Sequence, residues 1–212
     1  MNRTLILKSL LQTLSLRRFL FKVPDQPRTL FLTFDDGPDP VYTPKILEIL
    51  NHHRIHASFF LVGQQVEQHA EILHQIKLGS HTVGLHTHSH QSIRSMDKAQ
   101  LATEIEQNQN AIHEVLGLKP SLLRPPRGEI SLSSLYHAMK LGLKVVHYTI
   151  TSNDWKLKSP EAILNQIYQS PISGGDIISF HDNNENTCIA VDSLITEYKE
   201  RGYSFSSLQL IE

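Results

Sequence analysis

The chain has 212 residues, enough for one domain with a substantial core. Hydrophobic residues make up 40% of it and the formal net charge is −1, so it lacks the basic excess of a nucleic-acid-binding surface. A single cysteine, Cys188, excludes an internal disulfide framework and is compatible with a reducing compartment, whereas 13 histidines, four of them between His81 and His90, raise metal binding as a use for them.

Residues 1–22 are leucine-rich and carry Arg3, Lys8, Arg17, Arg18 and Lys22. The longest apolar runs there, Leu5-Ile6-Leu7 and Phe19-Leu20-Phe21, fall far short of the roughly 20 residues that a bilayer span needs. Lys8 interrupts the apolar stretch that a signal peptide requires, and no small-residue cleavage site follows. Residues 1–27 are therefore expected to stay on the protein as a basic amphipathic segment, either lying on a membrane surface or packed on the domain's own flank. With neither export signal nor transmembrane helix, a cytoplasmic or membrane-peripheral location is expected.

From Leu30-Phe31-Leu32 onward the chain alternates strand and helix signals. Helical apolar spacing covers Thr43 to Arg54, Gln64 to Leu78 before Gly79, Asp97 to Leu116 before Gly117, Ser131 to Leu141, Pro160 to Gln169 and Thr187 to Arg201. Short apolar runs at Ala57–Val62, His81–Leu85, Ser121–Leu123, Lys144–Ile150, Asp176–Phe180 and Tyr203–Leu210 read as strands. This alternation implies parallel βαβ units and an α/β fold. With about seven strands and no glycine-rich dinucleotide turn, a (β/α) barrel is expected, and a barrel gathers its reactive residues at the carboxyl ends of its strands. Asp35 and Asp36, His86 to His90, Arg124, Asp154 and His181 all follow predicted strands, so the fold alone brings them to one face.

Two adjacent carboxylates, Asp35 and Asp36, close the first strand before Gly37-Pro38. Charges beside a core must be paired, neutralised or bound to a metal, although an Asp at such a place also commonly caps a turn. Strand neighbours point to opposite faces, but the turn at Gly37 can let both acids converge. In His86-Thr87-His88-Ser89-His90, an extended backbone would aim all three imidazoles the same way, and a helical one would pair only His86 with His90. Either geometry keeps that pair, and Asp36 would complete the two-nitrogen, one-oxygen set of a catalytic zinc site with room for water. His181, at the end of an apolar strand, suits a general acid or base, or a further metal ligand. Arg124, before Pro125-Pro126, offers a guanidinium for bidentate pairing with a carboxylate such as Asp35. Asp154-Trp155 adds an acid beside an aromatic wall; a capping Asp and a packing Trp are the plain alternatives.

Taken together, Thr33-Phe34-Asp35-Asp36-Gly37, His86-Thr87-His88-Ser89-His90, Arg124-Pro125-Pro126-Arg127-Gly128, Asp154-Trp155 and Ile178-Ser179-Phe180-His181 resemble the five ordered motifs of the polysaccharide deacetylases, the NodB-homology domain of carbohydrate esterase family 4. One motif alone would be weak; five in order are specific. The resemblance covers about residues 28–210, and the NodB-like domain is taken as 28–212.

The resemblance implies a distorted (β/α) barrel that removes acetyl groups from N-acetylated amino sugars in a polysaccharide, oligosaccharide or lipid-linked glycan. It implies a divalent metal, usually zinc, on Asp36, His86 and His90, with cobalt, nickel or iron compatible with the same donors. Asp35 then corresponds to the catalytic base and His181 to the acid, with Arg124 orienting Asp35, Asp154 tuning His181, Trp155 walling the acetyl pocket and the backbone N–H near Arg127 helping to stabilise the oxyanion. The chain departs from the family where tyrosine often stands at Arg127, tryptophan at His88 and aspartate at Thr151. Arg127 at the groove rim suggests an anionic substrate. O-deacetylation or hydrolysis of another small amide on the same site, and a non-catalytic carbohydrate-binding domain, are the competing readings.

Overall fold

The computed structural model describes residues 18–208. The expectation for a basic amphipathic segment therefore falls, for residues 1–17, outside the described residues. Among the described residues no helix is long and apolar enough to cross a membrane.

The strands are β1 (Phe19–Leu20), β2 (Thr29–Asp35), β3 (Ser58–Leu61), β4 (Thr82–Leu85), β5 (Leu122–Leu123), β6 (Lys144–Val146), β7 (Ile150–Thr151), β8 (Ile177–His181) and β9 (Ser204–Phe205). The helices are α1 (Tyr42–His52), α2 (Gly63–Gln68), α3 (Ala70–Leu78), α4 (Lys98–Leu116), α5 (Leu132–Lys140), α6 (Pro160–Tyr168) and α7 (Glu185–Glu200). All strand pairs are parallel, in the order β1-β6-β5-β4-β3-β2-β8-β7, with β9 beside the first residues of β2. The sheet curls into an incomplete barrel with helices outside, the distorted α/β barrel expected.

Among the described residues the sheet holds nine strands where about seven were expected. Phe19–Leu20 was read as part of a leading segment because two residues carry no period; pairing with Val145 and Val146 makes them a strand. The single strand expected over Lys144–Ile150 is two. Its first half pairs β5 and β1, then the chain crosses at His147–Thr149, where Thr149 N–H donates to Ile177 O, and its second half pairs β8. The helix expected over Gln64–Leu78 is likewise broken at His69 (φ −134°, ψ 46°), where no glycine or proline announces it.

Strand alternation decides what faces where. On β2, Leu30, Leu32 and Phe34 join the large core that also takes Ile46, Leu50, Val66, Ile112 and Leu194 from the helices. Phe31 faces the opposite way, into a small cluster with Leu20, Val23, Phe60, Leu122, Val146, Ile177 and Leu208 that contains no helix residue. That cluster fills the bottom of the curled sheet. Further along the same inner face come Thr33 and Asp35 on β2, and Ser179 and His181 on β8, so the inner face turns from apolar to polar toward the strands' carboxyl ends. Each large apolar side chain buried at the bottom is worth about 1.5–3 kcal/mol, which anchors a mouth where polar groups have been gathered.

Candidate active site

Asp35 and His181 are register partners on the adjacent strands β2 and β8. Asp35 is buried, its Oδ1 accepting from Arg124 Nη1 (2.9 Å) and its Oδ2 from the Ser179 hydroxyl (3.0 Å). Arg124 itself is 1% exposed, lies 4.2 Å from the centre of the Phe60 ring and donates further to Thr33 Oγ1 and His147 O. Both oxygens of Asp35 are thus fixed by donors, and the guanidinium compensates its buried charge.

Asp36 turns to the same side because its own backbone is left-handed (φ 77°), not because Gly37 yields. Asp tolerates that region better than most residues, and the φ change cancels the strand alternation that would have sent Asp36 outward. Its Oδ1 lies 3.3 Å from His86 Nε2 and 3.1 Å from His90 Nε2, and the three ligand atoms of Asp36, His86 and His90 lie within 4.8 Å of one another. His86 Nδ1 is 2.9 Å from Arg124 O, a carbonyl that only accepts, so Nδ1 carries the proton and Nε2 keeps its lone pair. Asp36 Oδ1 is buried and makes no hydrogen bond of acceptable geometry, although two imidazole nitrogens face it. An orphaned carboxylate oxygen opposite two imidazole Nε2 atoms fits a divalent cation. Burial works against the charge on Asp36, but His86 and His90, with His181 behind them, outweigh it and hold this carboxyl well below the usual range.

The His86–His90 segment is neither extended nor helical: Thr87 (φ 63°) and His90 (φ 57°) are both left-handed. His88 consequently diverges and packs against Gly63, beyond which Glu67 Oε1 is 4.0 Å from its Nδ1.

His181 directs Nε2 toward Asp36 Oδ2 at 3.9 Å, while its Nδ1 lies 2.7 Å from Asp154 Oδ1. Burial lowers its affinity for a proton, but the Asp154 hydrogen bond and charge, helped by Asp35 and Asp36, overcome this and raise the imidazole to about 9. Asp154 also accepts from the backbone N–H of Trp155 and His181 and from the Thr187 hydroxyl.

These groups share a cleft of about 520 Å³ lined by Asp35, Asp36, His86, His90, Arg127, Tyr148, Thr151, Asn153, Trp155, Ser179 and His181. Arg127 reaches the rim from a left-handed residue (φ 58°), and Trp155 stands at the mouth, 62% exposed. Of the site residues expected from sequence, Asp35, Asp36, His86, His90, Arg127, Trp155 and His181 line the cleft, while Arg124 and Asp154 stand behind it on Asp35 and His181. Tyr148, Ser179 and Thr33 were missed. Ser179 and Thr33 sit two residues before His181 and Asp35, so alternation along the strands was a usable signal. Tyr148 gave none, because it lies in the crossing between β6 and β7. Burial, then the Asp35 charge, raises its phenol, with Arg124 opposing.

The family model for polysaccharide deacetylase matches residues 22–146. The chain belongs to the polysaccharide deacetylase family. Among the relatives of this deacetylase, a peptidoglycan-N-acetylglucosamine deacetylase of Bacillus cereus is 30% identical over 90% of this chain and 70% of its own length. The peptidoglycan-N-acetylmuramic acid deacetylase PdaA of Bacillus subtilis is 30% identical over 85% of this chain and 70% of its own. Among solved structures, the Bc1960 peptidoglycan N-acetylglucosamine deacetylase in complex with an N-hydroxybenzamide superposes with a TM-score of 0.85 at 30% identity, covering 90% of this chain and 91% of that one. A family 4 acetyl xylan esterase of Clostridium thermocellum, in complex with cobalt, gives 0.78 at 31% identity, covering 85% and 88%. The protein described here is a hydrolase of this family with a candidate metal centre on Asp36, His86 and His90.

Proposed function

We propose that this protein hydrolyses the acetamido group of an N-acetylated amino sugar within a glycan, with peptidoglycan fragments as the first substrates to try. The observation that carries the reading is the pairing of Asp35 and His181 on adjacent strands, in one cleft with the Asp36, His86 and His90 cluster. Asp36, His86 and His90 would hold a divalent cation, zinc for preference, which would supply Lewis acidity to the acetyl carbonyl and to the attacking water. Asp35, its oxygens held by Arg124 and Ser179, takes the proton of the attacking water. The peptide N–H near Arg127 is assigned to the oxygen on which charge builds as water adds. His181, protonated through its contact with Asp154, gives its proton from Nε2 to the departing nitrogen, so the C–N bond breaks to an amine and acetate. Trp155 walls the acetyl group, and Arg127 at the rim selects substrates that carry an anionic group.

O-deacetylation is the second reading, favoured by the likeness to an acetyl xylan esterase. Acetate release from N-acetylglucosamine oligomers, peptidoglycan fragments and acetylated xylan, with and without chelator, tests both. Chelator-sensitive release from N-acetyl substrates, lost in Asp35→Asn, is expected. Release from O-acetyl substrates alone would establish the second reading, and no release from any would overturn the proposal.

A further inference from the structure

Between the two histidines of the metal cluster the chain takes a conformation that its residues do not favour. Thr87 (φ 63°) and His90 (φ 57°) are non-glycine residues in the left-handed region, a strained conformation that persists only where the surroundings impose it. The surroundings that impose it are the start of α2, where the Gly63 and Gln64 N–H groups donate to Thr87 O (3.1 Å) and His88 O (3.0 Å), and one face of α4, which supplies the side-chain contacts. Glu104 Oε2 accepts from the backbone N–H of both His88 and Ser89 at 2.9 Å, and Oε1 accepts from the Ser89 hydroxyl at 2.7 Å. One helical turn later, the fully buried Asn108 donates through Nδ2 to Thr87 O and to Leu61 O (3.0 Å). Leu61 ends β3 beside Leu85 of β4, so Asn108 ties the histidine loop to the strand ends.

Neither residue lines the cleft with the catalytic groups. His86 has its own supports, a backbone N–H donating to Leu61 O (2.9 Å) and Nδ1 held by Arg124 O. The α4 contacts therefore bear on the far end of the loop, where His90 sits. We propose that Glu104 and Asn108 are positioning residues for the metal centre: they hold Thr87–Ser89 so that His90 Nε2 meets the Asp36 oxygen that His86 also faces. The proposal deepens the functional reading and rests on its metal site. It follows from valence. Glu104 satisfies three donors with a group that only accepts; alanine in its place would leave both backbone N–H groups without that partner, whereas glutamine can keep its oxygen on them and turn its amide to the Ser89 hydroxyl, which also accepts.

The test measures Co2+ and Zn2+ binding to the metal-free full chain by calorimetry and by the visible absorption of bound Co2+, beside its thermal unfolding. Glu104→Ala is expected to weaken Co2+ binding about 10–100-fold, the range for lost outer partners of metal ligands, and to alter the Co2+ band, and Glu104→Gln to weaken it less. The melting temperature of the metal-free protein should stay near that of the wild type. Ser89→Ala, which removes one of the three contacts without touching α4, should show a smaller loss, and Glu106→Gln, exposed on the same helix, none. Unchanged Co2+ affinity in Glu104→Gln and Glu104→Ala would overturn the positioning role. So would an affinity loss that appears only together with collapse of the metal-free fold. A wild-type chain that binds neither ion would sink the metal site and this inference together, whereas a tight wild type with equally tight Glu104→Gln and Glu104→Ala sinks this inference alone.

Discussion

Asp154 grips His181 at two points: Oδ1 lies 2.7 Å from the ring Nδ1, and Oδ2 accepts the backbone N–H of the same residue at 2.7 Å. Ring and main chain are fixed by one carboxylate, which leaves Nε2 as the only ring nitrogen free to meet a substrate. The same contact raises the imidazole to about 9, against the effect of its burial.

Asp154→Asn is expected to move the His181 titration down by more than one pH unit in the metal-free protein, measured by NMR of the imidazole resonances. The sign for stability follows. A histidine whose folded value is raised from 6.5 to about 9 contributes stability that is fully present below 6.5 and lost as pH rises through about 9. That contribution is on the order of 3 kcal/mol. The variant should therefore be less stable than wild type at pH 6, with the gap shrinking toward pH 10. A gap independent of pH would show that Asp154 acts on backbone geometry alone.

Asp182, the neighbour of His181, is 1% exposed, and burial pushes its carboxyl up to about 7, with help from the charges of Asp36 and Asp39 and against the Thr43 hydrogen bond. Its carboxyl packs on Gly37 so closely that a Cβ there would come within 2.4 Å of Oδ2. A carboxyl raised in the folded state favours folding while neutral, so this contribution falls as pH rises from 3.8 through about 7. Asp182→Asn is uncharged throughout and keeps an oxygen to accept from Thr43. Its melting temperature relative to wild type should rise between pH 4 and pH 8 and then level off. A flat difference would mean that Asp182 is not neutral in the native protein near pH 5.

Arg124 forms a fork that lysine cannot copy. It donates to Asp35, Thr33 and His147 O while its plane lies over Phe60. Arg124→Lys is expected to lose about 100-fold in kcat as Asp35 loses its fixed geometry, with a smaller change in KM. Stability should also fall, because the donors to Thr33 and His147 O and the contact with Phe60 are lost, read from denaturant unfolding. A variant with wild-type kcat would show that Asp35 needs no such orientation.

The alternation of short apolar runs with helical spacing made the parallel sheet and its polar end readable, and the residues that ended those runs became the cleft. What stayed hidden was backbone handedness and support from afar. Nothing in Asp35-Asp36 says that the second residue is left-handed, so convergence of the two acids was credited to Gly37. The histidine loop fitted two regular geometries on paper and adopts neither, because its partners are distant in sequence: the N–H groups of Gly63 and Gln64 on one side, Glu104 and Asn108 on the other. Asn108 did leave a trace: it interrupts the buried stripe Leu101, Ile105 and Ile112 with a polar side chain that must find partners. Phe19–Leu20 and the break within Lys144–Thr151 depend on partners far along the chain, which local periodicity does not contain.

Arg127 stands where the resemblance led one to expect tyrosine, on a rim it reaches through a left-handed backbone beside Gly128. An exposed guanidinium there costs little to desolvate and offers paired donors to a carboxylate or phosphate. Muramic acid differs from glucosamine by a lactyl ether that ends in a carboxylate, so the two sugars compare the same acetamido chemistry with and without an anion. Arg127→Ala is expected to lower kcat/KM for muramic-acid-bearing fragments about tenfold, the range of one charge-assisted contact, and to leave N-acetylglucosamine oligomers within about twofold. The loss on the anionic fragments should shrink as salt is raised, because a rim contact is screened. Equal loss on both substrates would assign Arg127 to the shape of the cleft rather than to charge, and no loss on either would remove it from recognition altogether.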